Sequence, residues 1–210
     1  MRNRRKYARR FGQKATEPTL AIFRSRPAGI PSGIFLEMRS RLWRGGQVVT
    51  MDGVTNDVGK WDLLIAHPPC TYLSNAGARH LWKGHQLQAD RVMLGIQGRD
   101  LFMRFWWADV PRICVENPIP SKVFCLPPYT QAVQPYEYGH PYSKKTCLWL
   151  KGLEPMRPTN IVEPVATWCP SGSYSRKHEE QHKGMFTADR AKNRAKTFPG
   201  IAKAMAEQWG

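Results

Sequence analysis

Two short apolar runs, each closed by a proline, frame this chain of 210 residues. Trp61-Asp62-Leu63-Leu64-Ile65-Ala66 stops at His67-Pro68-Pro69-Cys70, and Arg112-Ile113-Cys114-Val115 stops at Glu116-Asn117-Pro118. Apolar runs this short, bounded by turn residues, read as buried strands. Between them Ala89 to Trp107 repeats Leu94, Leu101 and Phe105 at helical spacing, with Phe102 and Trp106 beside them, and ends before Asp109-Val110-Pro111. Trp106-Trp107 reads as core at that helix end. Strand, helix and strand in that order imply an α/β fold. Thr146 to Leu150 reads as a third strand. Pro199 to Trp209 reads as a final helix with proline in its first turn and Ile201, Ala204 and Met205 on one face. Residues 152 to 192 are rich in Pro, Ser, Lys and His without sustained period, which predicts loop or a small accessory lobe within a domain of residues 45–210.

The composition is that of a folded chain: 41% apolar, 23% charged, with Trp 8, Phe 8 and Tyr 7. No apolar stretch approaches the roughly 20 residues of a membrane span, and the basic N-terminus lacks the apolar segment of a signal peptide, so a cytoplasmic protein is expected. The five cysteines (Cys70, Cys114, Cys125, Cys147, Cys169) are scattered without a Cys-x-x-Cys pair, which argues for reduced thiols and against a disulfide framework or zinc ribbon. His178 and His182 stand four apart downstream of Cys169, a spacing open to zinc, but Gly172, Ser173 and Ser175 point to an exposed loop with solvated histidines. No metal is expected.

The formal charge of +16 suggests a polyanionic partner, most simply nucleic acid. Its distribution weakens that inference: residues 1–46 hold 12 Lys and Arg against 2 acids, leaving 20 against 14 for the rest. Residues 1–44 scatter arginine without helical or strand logic, and by themselves read as a basic arm that binds nucleic acid electrostatically.

A thiol just beyond a strand's carboxyl end lies where open α/β sheets place their ligands, a position that suits a nucleophile. A thiolate can add to carbon 6 of cytosine and make carbon 5 an enamine, provided a group assists at the N3 edge. Glu116, ending the neighbouring run, is the candidate for that edge. Taken alone, Pro68-Pro69-Cys70 also fits a structural turn with an inert thiol, and Glu116-Asn117-Pro118 fits a turn whose acid caps the next helix. Together, in order and separated by a helix-length connection, they favour a catalytic pair.

These residues resemble the DNA cytosine-5 methyltransferases: Pro68-Pro69-Cys70 is similar to that family's proline-cysteine motif, and Val115-Glu116-Asn117-Pro118 to its glutamate-asparagine motif. Trp61 to Leu73, Arg112 to Pro118, Gly139 to Leu153 and Phe198 to Gly210 resemble the short phage and prophage members, over about residues 45–210. The resemblance implies a Rossmann-like fold using S-adenosyl-L-methionine, Cys70 as nucleophile and Glu116 as the N3 contact. It further implies substrate contacts at Pro69, Asn117, Lys144 and Lys145, and cofactor contacts at Pro68, Phe198 and Gly200. Two features depart from the family. Ser143-Lys144-Lys145-Thr146 stands where a paired-arginine motif is usual, so point charges replace bidentate forks. A large target-recognition domain is absent, and residues 152–192 offer at most a small substitute.

The strand, glycine turn and helix that should receive the cofactor are also missing from residues 1–44. Gly29 to Ile34 can be encoded GGC ATC CCG AGT GGC ATA, whose shifted frame reads His-Pro-Glu-Trp-His. Extending the shift from Arg2 to Met38 permits a peptide similar to the amino-terminal region of the phage proteins. The expectation is therefore a fold incomplete at its N-terminus, a frameshift upstream of about Gly45 having replaced the cofactor-binding half. The alternative to an active methyltransferase is a defective prophage relative that binds DNA without cofactor.

Overall fold

The computed structural model describes residues 19–23, 47–49, 55–57, 62–170 and 175–210. Strands β1 (Thr19–Phe23), β2 (Gln47–Val49), β3 (Thr55–Asp57) and β4 (Leu63–His67) come first. Helix α1 (Asn75–Ala78), the hairpin β5 (Trp82–Lys83) and β6 (Gln86–Leu87), and the long helix α2 (Ala89–Trp106) follow. The chain continues through β7 (Arg112–Pro118), β8 (Gln131–Val133), β9 (Tyr142–Ser143), β10 (Thr146–Lys151), β11 (Ala166–Thr167), α3 (Arg190–Ala195) and α4 (Pro199–Trp209).

Five strands form one mixed sheet in the order β1-β4-β7-β10-β8. Strands β4 and β7 run parallel, paired from Leu63↔Arg112 to Ala66↔Val115, because α2 supplies the crossover that a parallel pair needs. Their other neighbours are antiparallel: β1 on β4, β10 on β7 and β8 on β10. The fold is therefore α/β, with both strand senses in its sheet.

Side-chain alternation sends successive residues to opposite faces and builds two cores. Leu64, Ala66, Ile113, Val115, Cys147 and Trp149 face α2, where Phe102 meets Trp149 edge to face at 5.0 Å. Leu63, Ile65, Cys114, Leu148 and Leu150 face α4, which buries Ile201, Ala204, Met205 and Trp209 against them. Arg112 ties the second layer together by donating to the Trp209 carbonyl at 2.7 Å.

The final helix has the span and apolar face expected, and the third strand is one residue longer than expected. Other expectations need correcting. The second strand runs through Glu116, Asn117 and Pro118 and does not stop at Val115; only the parallel ladder stops there, ahead of a proline that has no N–H to give. Trp107 is 72% exposed, since α2 ends at Trp106 and Trp107 is its capping residue, turned outward. Strand β1 comes from the segment read as lacking strand logic; the five-residue run Thr-Leu-Ala-Ile-Phe suffices for a strand at the sheet's edge. The rest of residues 1–44, with Gly29 to Ile34, lies outside the described residues, as does Trp61. In the irregular stretch, β11 pairs in parallel with β9, and a 3-10 turn follows at Arg176–His178. No helix among the described residues is long and apolar enough to cross a membrane.

Candidate functional site

The site forms where β4 and β7 end together. Ala66 pairs with Val115, so His67 and Glu116 occupy the next rung, and alternation turns both toward the α4 face. Their side chains meet: His67 Nδ1 lies 2.9 Å from Glu116 Oε2, and the two side chains are 17% and 18% exposed. Three residues past β4, Cys70 begins a turn closed by the Ser74 amide donating to its carbonyl at 3.1 Å. Ser74 then caps α1 through the Gly77 amide, and its own backbone bridges to Pro120 beyond β7. The cysteine loop is thus held at both ends by the parallel pair.

Lys144 reaches the same edge from the turn before β10. Its amide donates to Gln134 Oε1 at 2.9 Å. Its Nζ donates to the carbonyls of Arg194 at 2.8 Å and Lys196 at 3.0 Å. Trp168 holds the same segment, donating from Nε1 to the Asn193 carbonyl at 3.1 Å. Residues 190–197 consequently lie across the site. A void of about 10 Å³ remains among Glu116, Lys144, Thr146, Lys196, Thr197, Phe198 and Ile201. That is room for about one water.

The charges are coupled. Burial pushes the Cys70 thiol up, and Glu116 pushes it further in the same direction, while Arg194 and Lys144 pull it down without reversing the net rise. Burial pulls the Glu116 carboxyl upward, but the hydrogen bond and charge of His67, with the charge of Lys144, leave it below the usual carboxylate value. Burial lowers the Lys144 ammonium against the support of Glu116, Cys70 and Cys169. At neutral pH the resting site therefore holds a carboxylate and a protonated thiol, with a basic group between α3 and the sheet.

The expected site residues divide between two faces. Cys70, Glu116 and Lys144 share electrostatic contact on one side. Asn117, one residue along, is 1% exposed on the opposite face, where its Nδ2 donates to the Pro68 carbonyl at 3.4 Å. Its Oδ1 is buried with no hydrogen-bond partner among the described residues. The structure thus gives Asn117 a grip on the Pro68-Pro69-Cys70 loop, with Pro69 half-buried on it. Lys145 is exposed, its ammonium 5.5 Å from the Tyr129 ring, away from Lys144.

For S-adenosyl-L-methionine the named contacts are filled by the chain itself. Pro68 is buried under Asn117. The Phe198 ring packs at a tilt against His140 at 5.0 Å and edge to face with Trp168 at 5.5 Å. A Cβ on Gly200 would stand 2.0 Å from the Tyr138 carbonyl, and its amide donates to His140 Nε2 at 3.0 Å. These three positions as folded do not form a cradle for the cofactor.

Two participants had no assigned role in the sequence reading. His67 stood inside the quoted motif, and the usable signal was parity: it shares a face with Leu63 and Ile65, as Glu116 does with Cys114. Arg194 carries no local signal, because its electrostatic influence on Cys70 from α3 depends on tertiary folding. Among the described residues no group of three or more His, Cys, Asp and Glu is gathered for a metal; Cys169 donates instead to the Gly184 carbonyl at 3.3 Å. Compared with protein-family models, curated proteins and solved structures, the chain matches none.

Proposed function

We propose that the chain is a cytosine-5 methyltransferase-like protein acting on double-stranded DNA, with Cys70 adding to carbon 6 of a flipped cytosine and Glu116 engaging its N3 edge. The observation that carries this reading is the placement of Cys70, Glu116 and Lys144 beyond the carboxyl end of a parallel strand pair, where each acts on the charge of the others. A pyrimidine needs all three kinds of group: a nucleophile, a group for N3, and a cation to offset charge as the thiolate forms. The same reading takes β4, α2 and β7 as the described part of a Rossmann-like sheet, and S-adenosyl-L-methionine as the methyl donor.

A second reading, a DNA-binding relative without turnover, draws support from the void of about 10 Å³ beside Glu116. A base enters only if residues 190–197 lift away from Lys144 and Trp168. Duplex DNA of mixed sequence carrying 5-fluorocytosine, incubated with the protein and S-adenosyl-L-methionine, separates the readings. The expected result is a protein–DNA complex that survives denaturation and vanishes in Cys70→Ala. A complex that persists in that variant removes Cys70 from the reaction, and no complex with the wild type favours the second reading.

A further inference from the structure

We propose that His67 is a positioning residue which aims Glu116 and supplies, through it, the proton that N3 takes up when the thiolate adds. The proposal rests on the cytosine reading and deepens it. Cys70 first loses its thiol proton to water, and the thiolate lone pair then forms the S–C6 bond. The C5–C6 π pair becomes a C4–C5 double bond, and the C4–N3 π pair becomes the N–H bond at N3. The His67 imidazolium passes its proton to the Glu116 carboxylate, which gives it to N3, so that the imidazole ends neutral and the carboxylate ionised. Return of these steps in reverse, after carbon 5 has exchanged its hydrogen with water, restores cytosine and both side chains.

Geometry selects His67 for this work. It makes the hydrogen bond that the Glu116 carboxylate receives among the described residues, at 2.9 Å across adjacent parallel strands. At 17% exposure the ring is shielded enough to keep its partner and open enough to be recharged by water. The hydrogen bond and charge of His67, with the charge of Lys144, hold the carboxylate ionised at rest against the effect of burial, so it has no proton to give until a neighbour delivers one. The other titratable groups coupled electrostatically to the pair or its neighbours are Cys70 after β4, Cys114 on β7, Cys147 on the opposite face of β10, Lys144 before β10, and Arg194 on α3 beyond Cys70 and Lys144. Lys144 is the rival donor, but two of its N–H bonds are committed to the carbonyls of Arg194 and Lys196. The thiols make no hydrogen bond to Glu116 among the described residues. Imidazole is also the side chain whose ordinary titration range spans neutral pH.

The test needs no methyl donor. Reversible adduct formation releases tritium from duplex DNA carrying [5-³H]cytosine, and the release rate is measured from pH 5.5 to 8.5. The wild-type rate should rise and then level off before pH 8.5, because the step needs the thiolate and the relayed proton together. His67→Asn keeps an amide N–H near the position of Nδ1 but carries no exchangeable charge. It should slow release at least about ten-fold and let the rate go on rising to pH 8.5. His67→Ala should slow release at least as much. A His67→Asn rate and profile equal to wild type would show that only the bond matters and overturn the relay, as would a wild-type rate that rises without levelling to pH 8.5. If the wild type releases no tritium and traps no 5-fluorocytosine DNA, the cytosine reading falls and this proposal with it. Trapping with an unchanged His67→Asn variant sinks the proposal alone.

Discussion

A carboxylate and an ammonium act on the Cys70 thiol in opposite directions, so single substitutions should move its reactivity in opposite directions. Burial is the largest cause of its raised value, Glu116 adds to it, and Arg194 and Lys144 oppose it. Removing the negative charge with Glu116→Gln stabilises the thiolate, whereas Lys144→Met removes support for it. Peptide-resolved iodoacetamide labelling across pH should therefore show Cys70 alkylation beginning at lower pH in Glu116→Gln than in wild type. In Lys144→Met the onset should come at higher pH. Shifts of the same sign in both variants would mean that the two groups act on Cys70 through packing and not through charge. The distinction bears on mechanism: a thiol held protonated at rest waits for substrate, and a cation beside it then shares the charge of its ionisation.

Helix α2 carries two glycines, three residues apart, whose surroundings differ. A Cβ on Gly95 would stand 2.0 Å from Phe124 Cζ, because the Phe124 ring lies directly against the helix backbone. On Gly98 the nearest contact would be Leu73 Cγ at 3.5 Å, ordinary packing distance. Gly95→Ala should thus lose stability, with overpacking of about 1–3 kcal/mol exceeding the propensity gain. Gly98→Ala should gain about 0.5–1 kcal/mol from reduced backbone entropy. Urea unfolding of both variants checks the pair of signs; a gain from Gly95→Ala would show that Phe124 moves freely. The same helix shows which elements were legible in the sequence. Its extent followed from periodicity, but its most buried positions are Gly95 and Phe102, and the line Leu94, Leu101 and Phe105 is only half-buried. Strands β7 and β10 and helix α4 announce themselves through apolar runs long enough to carry a pattern. Strands β8, β9 and β11, at two or three residues, exist through pairing with distant partners, which local sequence does not encode. At the site, Cys70, Glu116 and Lys144 were legible from strand ends and motif. The separation of Asn117 and Lys145 onto the other face, and the bond from His67, followed only from register.

Across the whole molecule, acidic groups sealed in the two cores make the fold vulnerable to alkali. Burial raises the Cys147 thiol from an ordinary 9.0 to about 11 and the Tyr138 phenol from 10.0 to about 12, and raises the Cys114 thiol further still. In each case the folded state keeps a proton that the unfolded chain gives up at lower pH. Stability contributed by these groups is therefore complete below pH 9 and is lost as pH rises toward the folded values. For Cys147 the loss amounts to about 2 kcal/mol by pH 10.5. Relief of self-repulsion in a chain of net charge +16 acts the other way, but it awaits lysine deprotonation near the top of that range. The thiols should dominate below it. Reduced wild-type protein should lose urea stability steeply between pH 8.5 and 10.5. A Cys114→Ala/Cys147→Ala variant should start lower at pH 7.5, by roughly 1–2 kcal/mol of lost packing, and then decline less steeply. Parallel pH profiles for the two proteins would show that the core thiols ionise alike in folded and unfolded chains, and would remove burial as the cause.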